Sequence, residues 1–566
     1  SNHTLILNWS DKVIPVIHEI CLANESARGG TIVVLAERDK EDMEREIAEG
    51  IGRAGFRGST VVVRSGSPVL TSELRKVAAT AARAIVVMSA ENVGPDASDA
   101  MALRVTLSLM SLERIDGHIT VELSDIDNQH LVQLVGRNRV ETIVSPDLVG
   151  RMMIQCARQP GLACVLDSLL GLDGHEFYFS RHEELVGRTF EEVVFCFPAA
   201  VVIGIEEKET GAIRINPPGS TRVQSGDLLI VLAEDDDTYS VQSPAPRDLE
   251  RWRLECRAEC KRSGNGAPPE HVLFIGWRRD IDDMIVQLDE YVAQGSKLVL
   301  FSQLDVQTRE RRMEARGFSA KSLKNIELIH VIGNSISRRH LRSLLSRRFD
   351  SVLILADEHL ELDVTKMDSR SLTTLLLIRD IMAKQSQGKN SPIKWTGHGD
   401  GSRHCRRASQ DAYIEPTSSR HDSENQPAEW IRGVLKGETR VDRKASRTSI
   451  ISEILDPRTK HLVQSGSVSD FVASNELVSK ALAMVAERRE VANILQELLS
   501  AEGCEVYLRP VTRFCKEGEE LSFYDLTARG RQKDEIVIGY QRVKCGDSVA
   551  INPGNKHKPL VWSQRT

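Results

Sequence analysis

The feature that most limits what this chain can fold into is that it repeats itself. Leu5-Ile6-Leu7-Asn8-Trp9 returns as Leu273-Phe274-Ile275-Gly276-Trp277, an offset of 268 from Trp9 to Trp277. Ile32-Val33-Val34-Leu35 returns as Leu298-Val299-Leu300-Phe301, and Ala84-Ile85-Val86-Val87 as Val352-Leu353-Ile354-Leu355. Gly66 matches Gly333, and Asp99 matches Asp368. Further on the offset grows: Glu122-Leu123-Ser124-Asp125 pairs with Glu453-Ile454-Leu455-Asp456, and Asp147-Leu148-Val149 with Glu476-Leu477-Val478. Two copies of one domain are implied, the second carrying an insertion of about 60 residues. Composition places that insertion at 384–447, which is rich in Ser, Gly, Arg, Lys and His and poor in apolar periodicity. Such a stretch buries too little apolar surface to offset its ordering entropy, so it is expected to stay largely unfolded, apart from Trp430 to Leu435, which reads as a segment that docks or forms a short helix.

Within each copy, short apolar runs alternate with amphipathic ones. In the first copy strands are expected near 4–8, 31–36, 60–64, 84–88, 118–123 and 141–144. Helices are expected near 11–24, 39–50, 69–80 and 97–112. That alternation means a parallel sheet covered by helices on both faces. A helical stretch at 147–170 follows, with Met152, Met153 and Cys156 on one face. Short β-rich runs come next, punctuated by Asn216-Pro217-Pro218-Gly219 and Ser225-Gly226-Asp227. The fold class is α/β: two tandem units, each a Rossmann-like parallel-sheet lobe, a connecting helical crossover and a small β-rich α+β lobe. The expected divisions are a first lobe at 3–146, connecting helices at 147–174, a first C-lobe at 175–239 and a linker at 240–269. A second lobe at 270–473 contains the insertion, followed by connecting helices at 474–502 and a second C-lobe and tail at 503–566.

The chain has 566 residues and a net charge of −7, so no global basic field points to nucleic acid. No apolar run reaches the ~18 residues of a membrane-spanning helix. Its ten cysteines are scattered without a CxxC pair, which points to reduced, structural thiols. With no initial Met or signal peptide, and a strand already under way at Leu5, the chain reads as a soluble piece of a longer protein.

A Rossmann-like lobe invites a dinucleotide. Such a site wants Gly-x-Gly-x-x-Gly at the first strand-to-helix turn, so that backbone can approach the pyrophosphate. The first copy has Asn8, Ser10 and Val13 there, and the second has Gly276, Arg278 and Ile281. One glycine of six survives, and Asp280, Asp282 and Asp283 would repel phosphate, so NAD is not expected. Glu37 ends the second strand, where a ribose-binding acid would lie, but it reads better as a solvated strand end. No hydrolase, metalloprotease or P-loop motif is present, and no nucleophile, base and orienting acid can be assembled. The chain therefore reads as a binding or regulatory module and not an enzyme.

The remaining chemical signal is carboxylate density. Glu122, Asp125, Asp127 and Asn128 lie at a strand end and the turn after it, and Glu234, Asp235, Asp236 and Asp237 close the first C-lobe. Calcium takes six to eight oxygen ligands, which clustered Asp, Glu and Asn on turns can supply. These eight residues are the candidate metal ligands; neither run fits an EF-hand, and each also reads as a solvated acidic edge. The insertion carries a basic excess, including Arg403, Arg406, Arg407, Arg440, Arg443, Lys444 and Arg447. It reads as a solvated linker, or as a contact for nucleic acid or acidic lipid.

Longer strings carry a resemblance. Gly276-Trp277-Arg278-Arg279-Asp280-Ile281-Asp282-Asp283-Met284-Ile285 resembles a signature of the CASTOR/POLLUX family of ion channels. So do Ile450-Ile451-Ser452-Glu453-Ile454-Leu455-Asp456-Pro457-Arg458-Thr459-Lys460 and Ser474-Asn475-Glu476-Leu477-Val478. In the first copy, Arg64-Ser65-Gly66-Ser67-Pro68 and Gln159-Pro160-Gly161-Leu162 match as well. The resemblance covers nearly the whole chain except the insertion and the extreme C-terminus. It implies tandem domains that regulate potassium conductance (RCK domains), and a membrane pore preceding Ser1. It also implies a homotetramer whose eight domains form a gating ring, and a full-length protein in a plant nuclear envelope, acting in the calcium oscillations of root symbiosis. Calcium binding to the ring would regulate opening. The first turn, Asn8-Trp9-Ser10-Asp11-Lys12, resembles the family's own degenerate version. Two other classes remain as alternatives: a dinucleotide-binding regulatory or oxidoreductase-like protein, and a scaffold whose basic insertion recruits partners.

Overall fold

The computed structural model describes residues 2–90, 93–256, 268–358, 363–388, 448–460, 471–501, 503–542 and 549–563. The first six strands are β1 (His3–Leu7), β2 (Thr31–Ala36), β3 (Thr60–Ser65), β4 (Ala82–Val87), β5 (His118–Leu123) and β6 (Val140–Val144). They form one parallel sheet in the order β3-β2-β1-β4-β5-β6, with Leu5 between Val33 and Ile85. This is the doubly wound order, in which the chain reverses direction beside β1 and leaves a crevice at the strands' carboxyl ends. The second copy repeats it. Strands β11 (His271–Ile275), β12 (Ser296–Ser302), β13 (Ile326–Ile332), β14 (Ser351–Ile354), β15 (Ser449–Ile454) and β16 (Phe471–Ala473) take the order β13-β12-β11-β14-β15-β16. Leu273 sits between Val299 and Val352, the counterpart of Leu5. The internal repeat is therefore a repeat of topology and register.

The left-handed residue after the first strand shows how the two copies solve one problem differently. Gly276 has φ +107°, and a Cβ there would lie 2.6 Å from the Leu355 carbonyl oxygen. The first copy has Asn8 at φ 71° instead, and its Nδ2 donates to the Met88 carbonyl at 3.0 Å. Asn is the side chain that tolerates this backbone region best after Gly.

Helices were legible except at their ends. The expected helix at 69–80 is shorter, Thr71–Lys76, and a 3-10 turn at Ala79–Ala81 replaces its end because Ala78 turns left-handed. Gln129–Gly136 is an additional helix that the sequence reading did not include. The stretch at 147–170 is two helices, Ser145–Arg158 and Leu162–Leu169, separated by Gly161 at φ +92°. Met152, Met153 and Cys156 are all buried. The helix Val364–Gly388 runs into the range expected for the insertion; residues 389–447, and the docking or helical segment expected at 430–435, lie outside the described residues.

The crossover helices do not pack on their own lobes alone. Ser145–Arg158 lies against Ile281–Tyr291, the first helix of the second copy, and Ser474–Glu487 lies against Val13–Ala23, the first helix of the first copy. One continuous apolar core results. Val13, Ile17 and Ile20 join Ala481, Leu482 and Val485, and Met152 and Met153 join Met284 and Ile285. The opposite faces of the two sheets have separate cores.

The first C-lobe is a four-stranded antiparallel sheet of β7 (Glu176–Ser180), β8 (Ala200–Glu206), β9 (Ile213–Ile215) and β10 (Leu228–Ala233), in the order β7-β10-β8-β9. Among the described residues the second shows two short antiparallel pairs, Glu520–Leu521 with Leu560–Val561 and Gly539–Gln541 with Val549–Ile551. The C-lobes also touch reciprocally. Asn216 (φ 49°) donates to the Asp534 carbonyl, and its repeat partner Asn552 (φ 45°) donates to the Ala199 carbonyl at 2.8 Å. The range 240–269 is more than a linker. Pro246–Cys256 is a helix whose Trp252 is buried against Phe195 and Tyr524. No helix among the described residues is long and apolar enough to cross a membrane.

Candidate functional site: the charged crevice between the two lobes

The carboxyl ends of both parallel sheets open onto one cavity of about 210 Å3, lined by residues of both copies. Lys12, Glu122, Asp125 and Ser145 come from the first copy, and Arg278, Asp280, Asp283, Arg316, Glu453 and Ser474 from the second. The volume lies below the roughly 300–1,000 Å3 of a drug-sized ligand pocket.

Each copy closes its own switch point with an ion pair. Glu122, at the end of β5, accepts from Lys12 Nζ at 2.6 Å, Ser145 Oγ at 2.7 Å and the Ser89 amide at 2.9 Å. Burial opposes its charge, yet Lys12 and these donors hold the carboxyl below its usual range. Glu453, its repeat partner, accepts from Arg278 Nη1 at 3.0 Å, Ser474 Oγ at 3.0 Å and the Ala356 amide at 2.9 Å. Arg278 also forks onto Asp280, with Nε and Nη2 each at 2.8 Å, and donates to the Pro146 carbonyl of the first copy at 3.0 Å. The first turn of each copy thus presents a cation to a glutamate, where a dinucleotide fold presents backbone amides to phosphate. Glu37 stands exposed, as a solvated strand end would.

A second pair of repeat partners orders the following turns. Asp99 accepts from the amides of Ser124 (2.8 Å) and Asp125 (3.0 Å), and Asp368 from those of Leu455 (2.8 Å) and Asp456 (2.9 Å). Burial pushes both carboxyls up, and the amides oppose it. The matching of Asp99 to Asp368 in the sequence was the trace of this device.

Arg316 also bridges the copies. Arg316 donates Nε to Asp282 at 2.9 Å, Nη1 to Asp125 at 3.0 Å and Nη2 to Asp283 at 3.2 Å. Burial, together with neighbouring Asp282, pushes the Asp283 carboxyl up to about 6, against the pull of Arg316. Arg279 pairs with Asp96 and lies 3.6 Å from Asp125. Nothing in the spacing around Arg316 marked it in advance, because its partners are separated from it by chain reversals.

The candidate ligands divide on this geometry. Glu122 and Asp125 have their oxygens committed to protein cations, hydroxyls and amides; one oxygen of Asp125 also caps the Asp127 amide at 3.0 Å. Asn128 donates to Asp99 at 2.8 Å, and Asp127 is exposed. Among the described residues these four are not brought together as a group able to hold a metal; Glu122 faces Lys12 and Asp125 faces Arg316. At the other cluster, Asp235, Asp236 and Asp237 bring carboxylate oxygens within 4.8 Å of one another. Glu234 is exposed and stands outside that group.

Glu176, paired with Ala233 at the same end of the C-lobe sheet, feels this cluster. Burial, then Glu487 and Asp235, push its carboxyl up to about 7. Its folded value exceeds its unfolded one, so the relative stabilisation is complete at low pH and is lost as pH rises through about 7. Glu176→Gln is expected to stabilise the fold by about 1–2 kcal/mol at pH 8 and much less at pH 5. Thermal melts of both proteins at the two pH values check this; an equal shift at both would contradict it.

Comparison with known proteins then decides the family. Residues 146–248 match the family described as Castor and Pollux, part of voltage-gated ion channel. The chain is 44% identical over 566 residues to the probable ion channel CASTOR of Oryza sativa subsp. japonica, covering 100% of this chain and 59% of that protein. It is 42% identical over 567 residues to the probable ion channel POLLUX of Arabidopsis thaliana, covering 100% of this chain and 63% of that one. The chain belongs to the CASTOR/POLLUX family. It spans about three fifths of the length of these relatives. Among solved structures, the human SLO3 gating ring superposes with a TM-score of 0.57 at 14% identity, covering 99% of this chain and 97% of that one. At that identity the likeness is one of fold: this CASTOR/POLLUX chain carries two RCK-type units in tandem. The reciprocal seam described above is how those units are joined in it.

Proposed function

We propose that this chain is the gating-ring region of a cation channel, which converts ligand binding into a change of ring shape that opens or closes a pore. The observation that carries this is identity above 40% along the whole chain to proteins named as ion channels, on the architecture of a gating ring. Four copies would form a ring of eight units beneath a pore preceding Ser1, in a plant nuclear envelope serving symbiotic calcium signalling. Leu107, Leu131 and Leu134 support assembly. They are 50%, 47% and 68% exposed on the neighbouring helices Pro95–Met110 and Gln129–Gly136, an apolar face that a second subunit would cover. Calcium is the proposed ligand, and Asp235, Asp236 and Asp237 are its proposed seat, since their carboxylates converge and lack competing cations among the described residues. A ligand moves the ring only by its differential affinity for two shapes.

Calorimetric titration with calcium, with magnesium as control and light scattering alongside, tests both parts. A tetramer that binds calcium selectively, with binding lost in the Asp235→Asn, Asp236→Asn, Asp237→Asn triple variant, is expected. Leu134→Asp is expected to shift the tetramer toward smaller species. A wild-type monomer at all concentrations would sink the ring, and unaltered calcium binding in the triple variant would sink that seat.

A further inference from the structure

The edge of the second lobe carries a surface that the lobe interface and the gating reading leave unused. From Asn334 to Phe349 the sequence holds five arginines and no acid. The short helix Arg338–Leu344 buries Leu341 and Leu344 against the sheet and turns its arginines outward. Arg338 is paired with Asp380 at 2.5 Å. Arg339, Arg342, Arg347 and Arg348 are all exposed and have no carboxylate partner among the described residues. On a chain of net charge −7, four uncompensated cations within ten residues are a local reversal of the molecule's field. Two exposed large apolar side chains precede them in the chain: Ile332, at the end of edge strand β13, is 57% exposed, and Ile336, in the turn into the helix, is 46% exposed.

Both ends of the insertion flank the same surface. The helix that precedes it is tied to the patch by Gln385, which donates to the Leu345 carbonyl at 3.3 Å. The chain returns at Thr448, whose hydroxyl donates to the Phe349 carbonyl at 2.7 Å. Between them, 389–447 contains twelve Lys and Arg against eight Asp and Glu. By composition the insertion carries a net positive charge and so brings no net compensation for the arginines, which argues against its being their occupant.

We propose that this face docks on an anionic membrane surface, the arginines pairing with lipid phosphates and carboxylates and Ile332 and Ile336 entering the headgroup boundary. Mixed basic and apolar exposure along one outward segment is the chemistry of interfacial binding, and clustered Arg beside a bilayer is attracted by its anionic lipids. The convex face of a helix suits a plane better than a peptide, and no aromatic side chain stands among the six residues to stack a base. The relatives being ion channels puts a bilayer within reach.

Co-sedimentation of the full chain with vesicles tests it, using phosphatidylcholine alone and phosphatidylcholine with about 30% phosphatidylserine. Binding to the anionic vesicles only, weakening as salt rises from ~0.1 to ~0.5 M, is expected. The quadruple variant Arg339→Gln, Arg342→Gln, Arg347→Gln, Arg348→Gln is expected to bind at least tenfold more weakly, with an unchanged melting temperature. The same four positions changed to Lys are expected to retain most of the binding, which separates lost charge from lost fold. Ile332→Ser with Ile336→Ser is expected to weaken it further at high salt. No binding by the wild-type chain, unaltered binding by the quadruple Gln variant, or equal binding to neutral vesicles would overturn the proposal. So would tighter binding to poly-glutamate or to duplex nucleic acid in the same buffer, each of which would reassign the patch.

Discussion

Arg278→Ala is expected to cost about 3–5 kcal/mol, the largest loss from any single substitution in the crevice, because it strips two buried carboxylates of their cation at once. Glu453 and Asp280 are both buried, and the Arg278 side chain itself is only 8% exposed. Truncation leaves both acids facing each other across a space water reaches poorly, and it removes the bond to the Pro146 carbonyl that ties the second lobe to the first crossover helix. The melting temperature of the second lobe is expected to fall by about 10 °C. Arg278→Met with Glu453→Gln and Asp280→Asn is expected to recover a substantial part, since removing all three charges also removes the desolvation penalty. Differential scanning calorimetry on the three proteins decides it. A loss below ~1 kcal/mol for the alanine variant would mean that water or counterions already screen the site. The matching change in the first copy, Lys12→Met, is expected to cost less, because the Lys12 side chain is 15% exposed where that of Arg278 is 8% exposed.

Trp252→Ala is expected to cost about 3–5 kcal/mol and to loosen the two C-lobes from each other. Trp252 is 2% exposed. Its indole stacks on Phe195 of the first C-lobe at 5.0 Å and contacts Tyr524 of the second at 4.9 Å, while Nε1 donates to Asp525 at 2.8 Å. Asp525 is also the third residue of a capping box with Ser522, so the tryptophan is bonded to the start of the helix Phe523–Arg531. Limited proteolysis between the C-lobes, together with the change in melting temperature, reads the effect. Trp252→Phe keeps the stack but loses the hydrogen bond, and is expected to fall between. If alanine and phenylalanine variants behave alike, the hydrogen bond and not the stack holds the seam.

Much of this fold could be read from the chain because apolar periodicity and repetition are local signals. Ile32 to Leu35 and their partners Leu298 to Phe301 are buried strands by length and composition alone, and a shared offset forces a shared topology. The candidate site was less legible. Glu122 and Asp125 were rightly singled out as unusual, but their meaning depends on which cation arrives. Lys12 is 110 residues away in sequence and Arg316 is 191 residues away. The acids at 280–283 read as charge on a helix start, whereas Asp280 and Asp282 are arginine partners in a buried seam. Trp252 was hidden for a related reason: a helix between prolines in a polar stretch looks like a linker until its one aromatic finds a pocket made by the other end of the chain.

Asn216 and Asn552, like the two crossover helices, touch across an approximate two-fold relation inside a single chain. In a symmetric dimer of separate chains every substitution falls on both sides of the axis together. Fusion lifts that constraint, and the crevice records the result: a lysine against Glu122 on one side, an arginine forked between Glu453 and Asp280 on the other. A perturbation entering the seam therefore meets unequal resistance from its two sides. The paired lobes have a preferred direction in which to yield, which two identical protomers would lack.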